Sequence, residues 1–270
     1  MLGLPGSGKT TFLAALWYVV TSGEVSGALE LETLGPHSIY LNGIRDTWLV
    51  GKEFERTSMT VESSTMRLGV EGHDSHEVAI PDLSGEHSRE TIVSRVWPDE
   101  LSTLVTTTDG VLLFVHAEKI EAARTIMEAQ AVLGDSSQAG VVAEPSWTPD
   151  RSPTAVKLID LLQLTMWTRA AESPTRLSLV ASAWDLVEES FSSPEVWLAE
   201  EMPLLDQFLR NNPEAYSTRL FGVSAQGGQL DDVRKRLIKL NSPSDRIRVF
   251  VDNAPASHDV TQPLRWALSL

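Results

Sequence analysis

The sequence contains no cysteine, which excludes disulfides and thiolate metal sites and agrees with a reducing compartment. A cytoplasmic location is the corresponding expectation. Long apolar runs are also missing. The longest, over 12–20, is about half the length that crosses a bilayer, so no membrane span is expected. Basic residues are scarce: Lys and Arg total 22 against 37 Asp and Glu, a formal net charge of −15. Such a balance repels nucleic-acid backbones and anionic lipid unless a local basic patch intervenes. The one such cluster, Arg234-Lys235-Arg236 with Lys239, falls on a predicted helix beside Asp231 and Asp232 and reads as a solvated face. Nucleic acid is therefore not an expected partner.

With 42% hydrophobic residues in 270, the chain has enough apolar material for a large core. Its most informative stretch is Gly3-Leu4-Pro5-Gly6-Ser7-Gly8-Lys9-Thr10, which spells G-x-x-x-x-G-K-[ST], the phosphate-binding loop of P-loop NTPases. The spacing has a physical cause. Glycines let consecutive N–H groups curl into an anion-binding nest, the Lys9 ammonium can reach β- and γ-phosphates, and the Thr10 hydroxyl can face Mg²⁺. The apolar run 12–20 then reads as a buried helix whose positive end points at the same phosphates. Ordinary usage produces this pattern by accident in roughly 1% of chains of this length. Such a loop normally follows a buried strand, and only Met1 and Leu2 precede Gly3. The expectation is that the rest of this first strand lies upstream of Met1.

The pattern along the chain predicts an α/β fold. Short strands are predicted over 29–34, 65–70 and 77–81, with a mostly helical segment over 36–54. The turn composition of 71–75 joins the second and third strands into a hairpin. His73, Asp74, His76 and Glu77 sit where a turn enters a strand, so their side chains diverge and no metal site is expected there. Continuous apolar strands over 110–116, 176–183 and 219–224 are separated by predicted helices over 118–133 and 194–210, and a further helix follows over 229–240. This alternation implies a mostly parallel sheet with covered faces, a three-layer P-loop NTPase sandwich with one antiparallel hairpin strand. The Ser-, Pro-, Gly- and Asp-rich run 134–153 interrupts the rhythm; unstructured runs of about 20 residues are usually functional or disordered. A domain over 1–240 with an extension over 241–270 packed on it is the expected organisation.

Two further motifs sit at predicted strand ends. Asp82-Leu83-Ser84-Gly85 matches D-x-x-G: the acid can hold Mg²⁺ through water and the Gly85 N–H can sense a γ-phosphate. About 100 residues later, Ser182-Ala183-Trp184-Asp185 occupies the place of [NT]-K-x-D. A carboxylate at Asp185 accepts from guanine N1–H and the 2-amino group, whereas adenine presents an acceptor at N1 and no 2-amino group. Ser224-Ala225 matches the start of S-A-[KL], whose backbone N–H contacts guanine O6.

In order and spacing these pieces resemble the translation-factor-related and Ras-like class of P-loop GTPases, over roughly Gly3 to Leu240. More narrowly, the chain resembles the bacterial double-GTPase domains associated with conflict and defence systems. That likeness rests on Gly3–Thr11 with Phe12-Leu13-Ala14-Ala15-Leu16-Trp17, on Asp82-Leu83-Ser84-Gly85-Glu86, and on the tail 246–268 with Pro263-Leu264-Arg265-Trp266. The resemblance implies a GTP-binding, slowly hydrolysing, Mg²⁺-dependent switch with a protein effector or activating partner, and with a second GTPase domain or a second copy as a companion. Its nucleotide set would be Gly3, Pro5, Gly6, Ser7, Gly8, Lys9, Thr10, Thr11, Gly85, Trp184, Asp185, Ser224 and Ala225. Mg²⁺ would meet Thr10, Asp82 and a switch I threonine, for which both Thr57 and Thr60 qualify.

Departures from the pattern bear on base reading and on catalysis. Ser182 replaces an amide or threonine, and Ala183 removes a lysine stem from over the base. Glu86 and His87 follow Gly85 where a water-positioning Gln or His is common, and either is a candidate to position water. Arg56 is a candidate internal arginine finger. Two other readings stay open: a P-loop ATPase with a degenerate base motif, and a nucleotide-locked interaction module without turnover.

Overall fold

Strands that are apolar on both faces can be buried only in the middle of a sheet, and that is where these runs lie. The computed structural model describes residues 1–33, 38–54, 63–69, 76–81, 85–123, 148–169, 173–228, 240, 242–252 and 254–270. Its elements run β1 (Leu2–Gly3), α1 (Lys9–Ser22), β2 (Glu30–Thr33), α2 (Ser38–Leu49), β3 (Ser63–Gly69), β4 (His76–Pro81), α3 (Gly85–Ser94), α4 (Asp99–Thr107) and β5 (Gly110–His116). Then come α5 (Thr154–Thr168), β6 (Thr175–Ser182), α6 (Pro194–Glu201), α7 (Pro203–Asn211), β7 (Tyr216–Ser224), β8 (Arg248–Phe250) and α8 (Gln262–Leu268). One sheet has the order β1-β5-β6-β7-β8. Its first four strands are parallel, and β8 closes the far edge antiparallel to β7. The predicted hairpin is present as β3 and β4, joined antiparallel by β2 in a separate three-stranded sheet.

Alternation along β5 sends side chains into two cores. Leu112 and Phe114 join Phe12, Leu16 and Trp17 of α1 and Trp48 of α2 on one face, while Val111, Leu113 and Val115 join Leu158, Leu161 and Leu162 of α5 on the other. Helices thus cover both faces of a mostly parallel sheet, the three-layer α/β arrangement of P-loop NTPases. β1 pairs with β5 only through Leu2 and Gly3, and an apolar cavity of about 250 Å³ runs beside Gly110–Leu112. Among the described residues no helix is long and apolar enough to cross a membrane.

Two predicted elements differ from the structure. The start of the helix expected over 118–133 is not helical at 118–123. There the chain is clipped to the start of α5, with Glu121 N donating to Thr154 Oγ1 and Thr154 N to Glu121 O, both at 2.9 Å; residues 124–147 lie outside the described residues. The helix expected over 194–210 breaks into α6 and α7 at Met202, whose φ of −136° and ψ of 54° reflect the Pro203 that follows. Of the helix expected over 229–240, residues 229–239, with the basic cluster, lie outside the described residues, as do 70–75 of the hairpin turn. Helices α3, α4, α5 and α8 have no counterpart among the predicted elements.

The C-terminal segment is fastened by buried polar contacts: Ser178 Oγ in β6 donates to Pro263 O at 2.6 Å, and Leu29 N donates to Thr261 Oγ1 at 3.1 Å.

Packing around the β6 terminus predicts one unequal pair of substitutions. A Cβ on Gly222 of β7 would lie 2.5 Å from Cδ2 of Trp184, a ring 2% exposed and wedged between Trp197 and Phe250. Gly222→Ala should therefore destabilise by about 1–3 kcal/mol. Gly43, on the exposed side of α2, has open space around it, so Gly43→Ala should stabilise by about 0.5–1 kcal/mol. Urea midpoints of the two variants, moving in opposite directions, are the check.

Candidate functional site

The loop Gly3–Lys9 leaves the end of β1 and enters α1 through two left-handed glycines, Gly6 at φ 71° and Gly8 at φ 85°. Gly8 is constrained twice over, because a Cβ there would also meet Ser182 Oγ at 2.6 Å. Ser7 N donates to Leu4 O at 3.2 Å and Phe12 N to Gly8 O at 3.0 Å, so the turn closes before the helix begins. The Lys9 side chain is folded into this turn and is 7% exposed. Its Nζ donates to Gly3 O at 2.8 Å, Leu4 O at 3.1 Å and Ser7 Oγ at 3.3 Å. The ammonium is held where loop oxygens surround it, and a phosphate entering the nest competes with those oxygens for it. Thr10 and Thr11 follow at the same helix start, both half-buried.

The second wall is the end of β6. Ser182 Oγ donates to Ser7 O at 2.8 Å, so this serine ties the end of β6 to the phosphate loop. Ala183 adopts φ 53°, a left-handed turn that carries Asp185 into the 3-10 helix Trp184–Leu186. Ser224 at the end of β7, fully buried, donates through Oγ to Asp185 Oδ1, and its hydroxyl accepts from Gly227 N at 3.2 Å. A carboxylate has roughly four lone-pair sites, so Asp185 keeps acceptor capacity on both oxygens. Ala225 is fixed from behind, its carbonyl accepting from Trp48 Nε1 at 3.0 Å. Trp48 is stacked under Arg246, whose guanidinium carbon lies 3.4 Å from the ring centre and whose Nη2 donates to Trp48 O at 2.7 Å. Burial lowers the Arg246 pKa to about 10.

Between these walls lies a cavity of about 400 Å³, lined by Gly8 and Thr11 at one end and by Ala183, Asp185, Ala225 and Gln226 at the other. A second cavity of about 530 Å³ adjoins it on the outer side of the phosphate loop. His116, Glu118 and Lys119, in the turn after β5, border both. His116 Nδ1 accepts from the Glu118 and Lys119 amides at 3.3 Å each. Burial first, then the charge of Lys119, lowers its pKa and keeps the imidazole neutral. Helix α3 is pinned to the loop through Ser88 Oγ, which donates to Gly3 O at 2.9 Å. Next along α3, Arg89 pairs with Asp150 through Nε at 2.9 Å and through Nη2. The Arg89 side chain is 64% exposed, and pairs of that exposure contribute about 0–1 kcal/mol.

The structure therefore brings Gly3–Thr11, Asp185, Ser224 and Ala225 together from sites up to 222 residues apart. Of the expected set, Trp184 and Ser224 lie off the cavity lining: Trp184 packs into the core, and Ser224 Oγ is bonded to Asp185. Arg56, Thr57, Thr60 and Asp82 lie outside the described residues, and of Glu86 and His87 only the backbone, with Gly85 in the first turn of α3, is described. Sequence reasoning missed Trp48, His116, Lys119 and Arg89, because each reaches the site through pairing or packing distant in sequence. Ser182 carried a signal, a hydroxyl ending a buried strand.

A glycine-turned anion loop at the carboxyl edge of a parallel sheet, with its lysine and an acidic residue two strands away, defines a P-loop nucleotide-binding protein. The particular family follows from sequence: the model of the family described as Double-GTPase 1 matches residues 1–267. The chain belongs to that family. No curated protein and no solved structure matches it.

Lys9 is the one side-chain cation in the loop, and charge-assisted bonds contribute about 1.5–3 kcal/mol each. Lys9→Ala should therefore weaken nucleoside triphosphate binding by about 10²-fold or more and leave the far-UV circular dichroism unchanged. Titration calorimetry with retained wild-type affinity would mean that nucleotide binds elsewhere.

Proposed function

We propose that this protein binds Mg·GTP in the cleft between the phosphate loop and Asp185, hydrolyses it slowly, and uses the cycle as a switch read by a protein partner. The observation that carries the reading is the Asp185 carboxylate, oriented by Ser224 at the base end of a cavity whose other end is the phosphate loop. N1–H and the 2-amino group of guanine form a donor pair that one carboxylate accepts side by side, while adenine offers no such pair. Membership of a GTPase family supports the same base.

In this reading, Gly6, Ser7, Gly8 and Lys9 hold the β- and γ-phosphates, and Thr11 lies beside the α-phosphate end. Mg²⁺ keeps several waters and takes few protein ligands; the Thr10 hydroxyl, one residue beyond Lys9, fits one of those positions, with Asp82 and Thr57 or Thr60 as the proposed others. Bound Mg²⁺ would neutralise charge developing on the phosphates. Glu86 or His87 would position water. Because Gly85 opens α3 and Ser88 of the same helix is bonded to Gly3 O, occupancy of the loop bears directly on α3. That linkage supports the switch reading. Intrinsic hydrolysis is expected on the order of 10⁻⁴ to 10⁻² per second; purified protein turning over several times per second would favour a self-sufficient enzyme.

The deciding test is the base. Asp185→Ala should weaken GTP by roughly 10²-fold, from two charge-assisted bonds, while ATP hardly responds. In Asp185→Asn the new amide can donate to the 2-carbonyl of xanthine and accept from N1–H, so preference should move from GTP towards XTP. Unchanged GTP and XTP affinities in Asp185→Asn would sink guanine reading at this residue and favour the ATPase alternative.

A further inference from the structure

We infer that Arg89 is an internal catalytic arginine for GTP hydrolysis, and that Asp150 holds it in reserve until a γ-phosphate enters. This rests on the nucleotide reading above and deepens it. Arg89 and Asp150 line the same cavity of about 530 Å³ as Leu4, Pro5, Gly6 and Ser7, so the guanidinium shares one space with the outer face of the phosphate loop. Arg89 is also placed by its neighbour: Ser88 Oγ donates to Gly3 O at 2.9 Å, which seats this turn of α3 against the loop's first residue. The charge around it has one sign of partner. Asp150 Oδ2 accepts from Arg89, while Oδ1 accepts from Thr148 Oγ1 at 2.5 Å, so the carboxylate is itself oriented. Lys157, on the far wall, is engaged by Glu121 Oε2 at 2.5 Å, and its side chain is 11% exposed. Arg89 and Lys119 are the exposed cations that line this cavity, and Arg89 is the one carried on the helix pinned to the phosphate loop.

An exposed ion pair is a weak restraint, whereas an arginine on a transferring phosphoryl group accounts for about 10³–10⁵ in rate. Exchange of Asp150 for the γ-phosphate is thus favoured only when nucleotide is bound. In the hydrolytic step the oxygen of a solvent water forms a bond to the γ-phosphorus and the bond to the β–γ bridging oxygen breaks. GDP leaves with that electron pair, and the water proton ends on inorganic phosphate or solvent. Arg89 is not consumed. Its N–H groups donate to the γ-phosphoryl and bridging oxygens, where negative charge grows.

The test uses the whole chain with Mg·GTP in single-turnover assays, together with trapping of fluorescent GDP by aluminium fluoride, a mimic of the transferring phosphoryl group. Arg89→Ala should lower the hydrolysis rate at least tenfold with GTP affinity within about threefold of wild type, and should lose aluminium fluoride trapping. Arg89→Lys, which keeps charge but not the planar fork, should fall between. Asp150→Asn should hydrolyse at least as fast as wild type. Wild-type hydrolysis and trapping in Arg89→Ala would overturn the inference. So would equal losses in Arg89→Ala and Asp150→Asn, which mark a purely structural pair, or a wild-type protein that binds GTP and neither hydrolyses it nor traps fluoride. None of those results touches guanine binding through Asp185. Failure of wild type to bind guanine nucleotide at all is the separate result that removes the reading beneath.

Discussion

Parallel pairing in a fixed register is the constraint on which the site depends. Gly3 pairs with Phe114, His116 with Ser182, and Ser182 with Val223, so β1, β5, β6 and β7 finish together along one edge of the sheet. Every loop that follows a strand must then leave from the same side. The 2.8 Å bond from Ser182 to Ser7 O spans 175 residues of sequence, and it exists because neighbouring strands end level. A shift of β6 by one residue would turn Ser182 to the other face and separate the phosphate loop from Asp185. Val111, Leu113 and Val115 belong to one core and Leu112 and Phe114 to the other, so a slip would exchange side chains of different volume between two close-packed cores.

The base end of the cleft depends on a second, less expected contact. Arg246 is 3% exposed and has no carboxylate partner among the described residues; Nη2 bonds the Trp48 carbonyl, while Nε finds no partner among them. Burying a guanidinium this way is costly, and the lowered pKa expresses the same desolvation. In exchange, Trp48 is clamped through its ring face and its carbonyl, leaving the indole N–H to the Ala225 carbonyl. Trp48 lies near the end of α2, and Glu53, five residues on, lines the same cavity as Ala225. One core side chain therefore joins the segment leading from α2 to the loop that meets the base.

Much of this was legible in the sequence, and the pattern of success has a physical basis. The phosphate loop could be read because its function resides in backbone geometry, and glycines at fixed spacing are the direct record of that geometry. Buried parallel strands could be read because they are apolar on both faces. The placement of Trp184 is not legible from its neighbour Asp185, which lines the cavity; a 3-10 turn sends adjacent side chains in different directions, and Trp184 packs in the core against Trp197. Helix α5 shows an ordinary helical period, with Leu158, Leu161, Leu162 and Thr165 all buried, but it was obscured by expecting the helix after β5 to begin at 118. The described residues 118–123 are instead non-helical, and Glu121 is bonded to Thr154 at the start of α5. The break at Pro203 was written in the sequence and needed only the rule that proline disfavours helix in the residue before it. Arg89 with Asp150 and Trp48 with Ala225 could not be read at all, since each is a meeting of distant segments.

A negative charge balance opposes the approach of a polyanion, and the resolution lies in distance. A net charge of −15 acts on an approaching nucleotide through a screening length of about 8 Å at physiological salt, so distant carboxylates slow encounter more than they weaken the bound state. In the proposed reading, what the phosphates would meet on arrival is local: turned N–H groups, the start of α1, Lys9 inside the loop and Arg89 across the adjoining cavity. The carboxylates that line the cleft, Glu53, Glu118 and Asp185, belong to the cavity proposed for the base, where Asp185 would meet hydrogen-bond donors rather than phosphate. On that reading, positive groups along the phosphate loop and an acceptor at the other end would give the cleft a polarity that matches a nucleotide laid in one direction only.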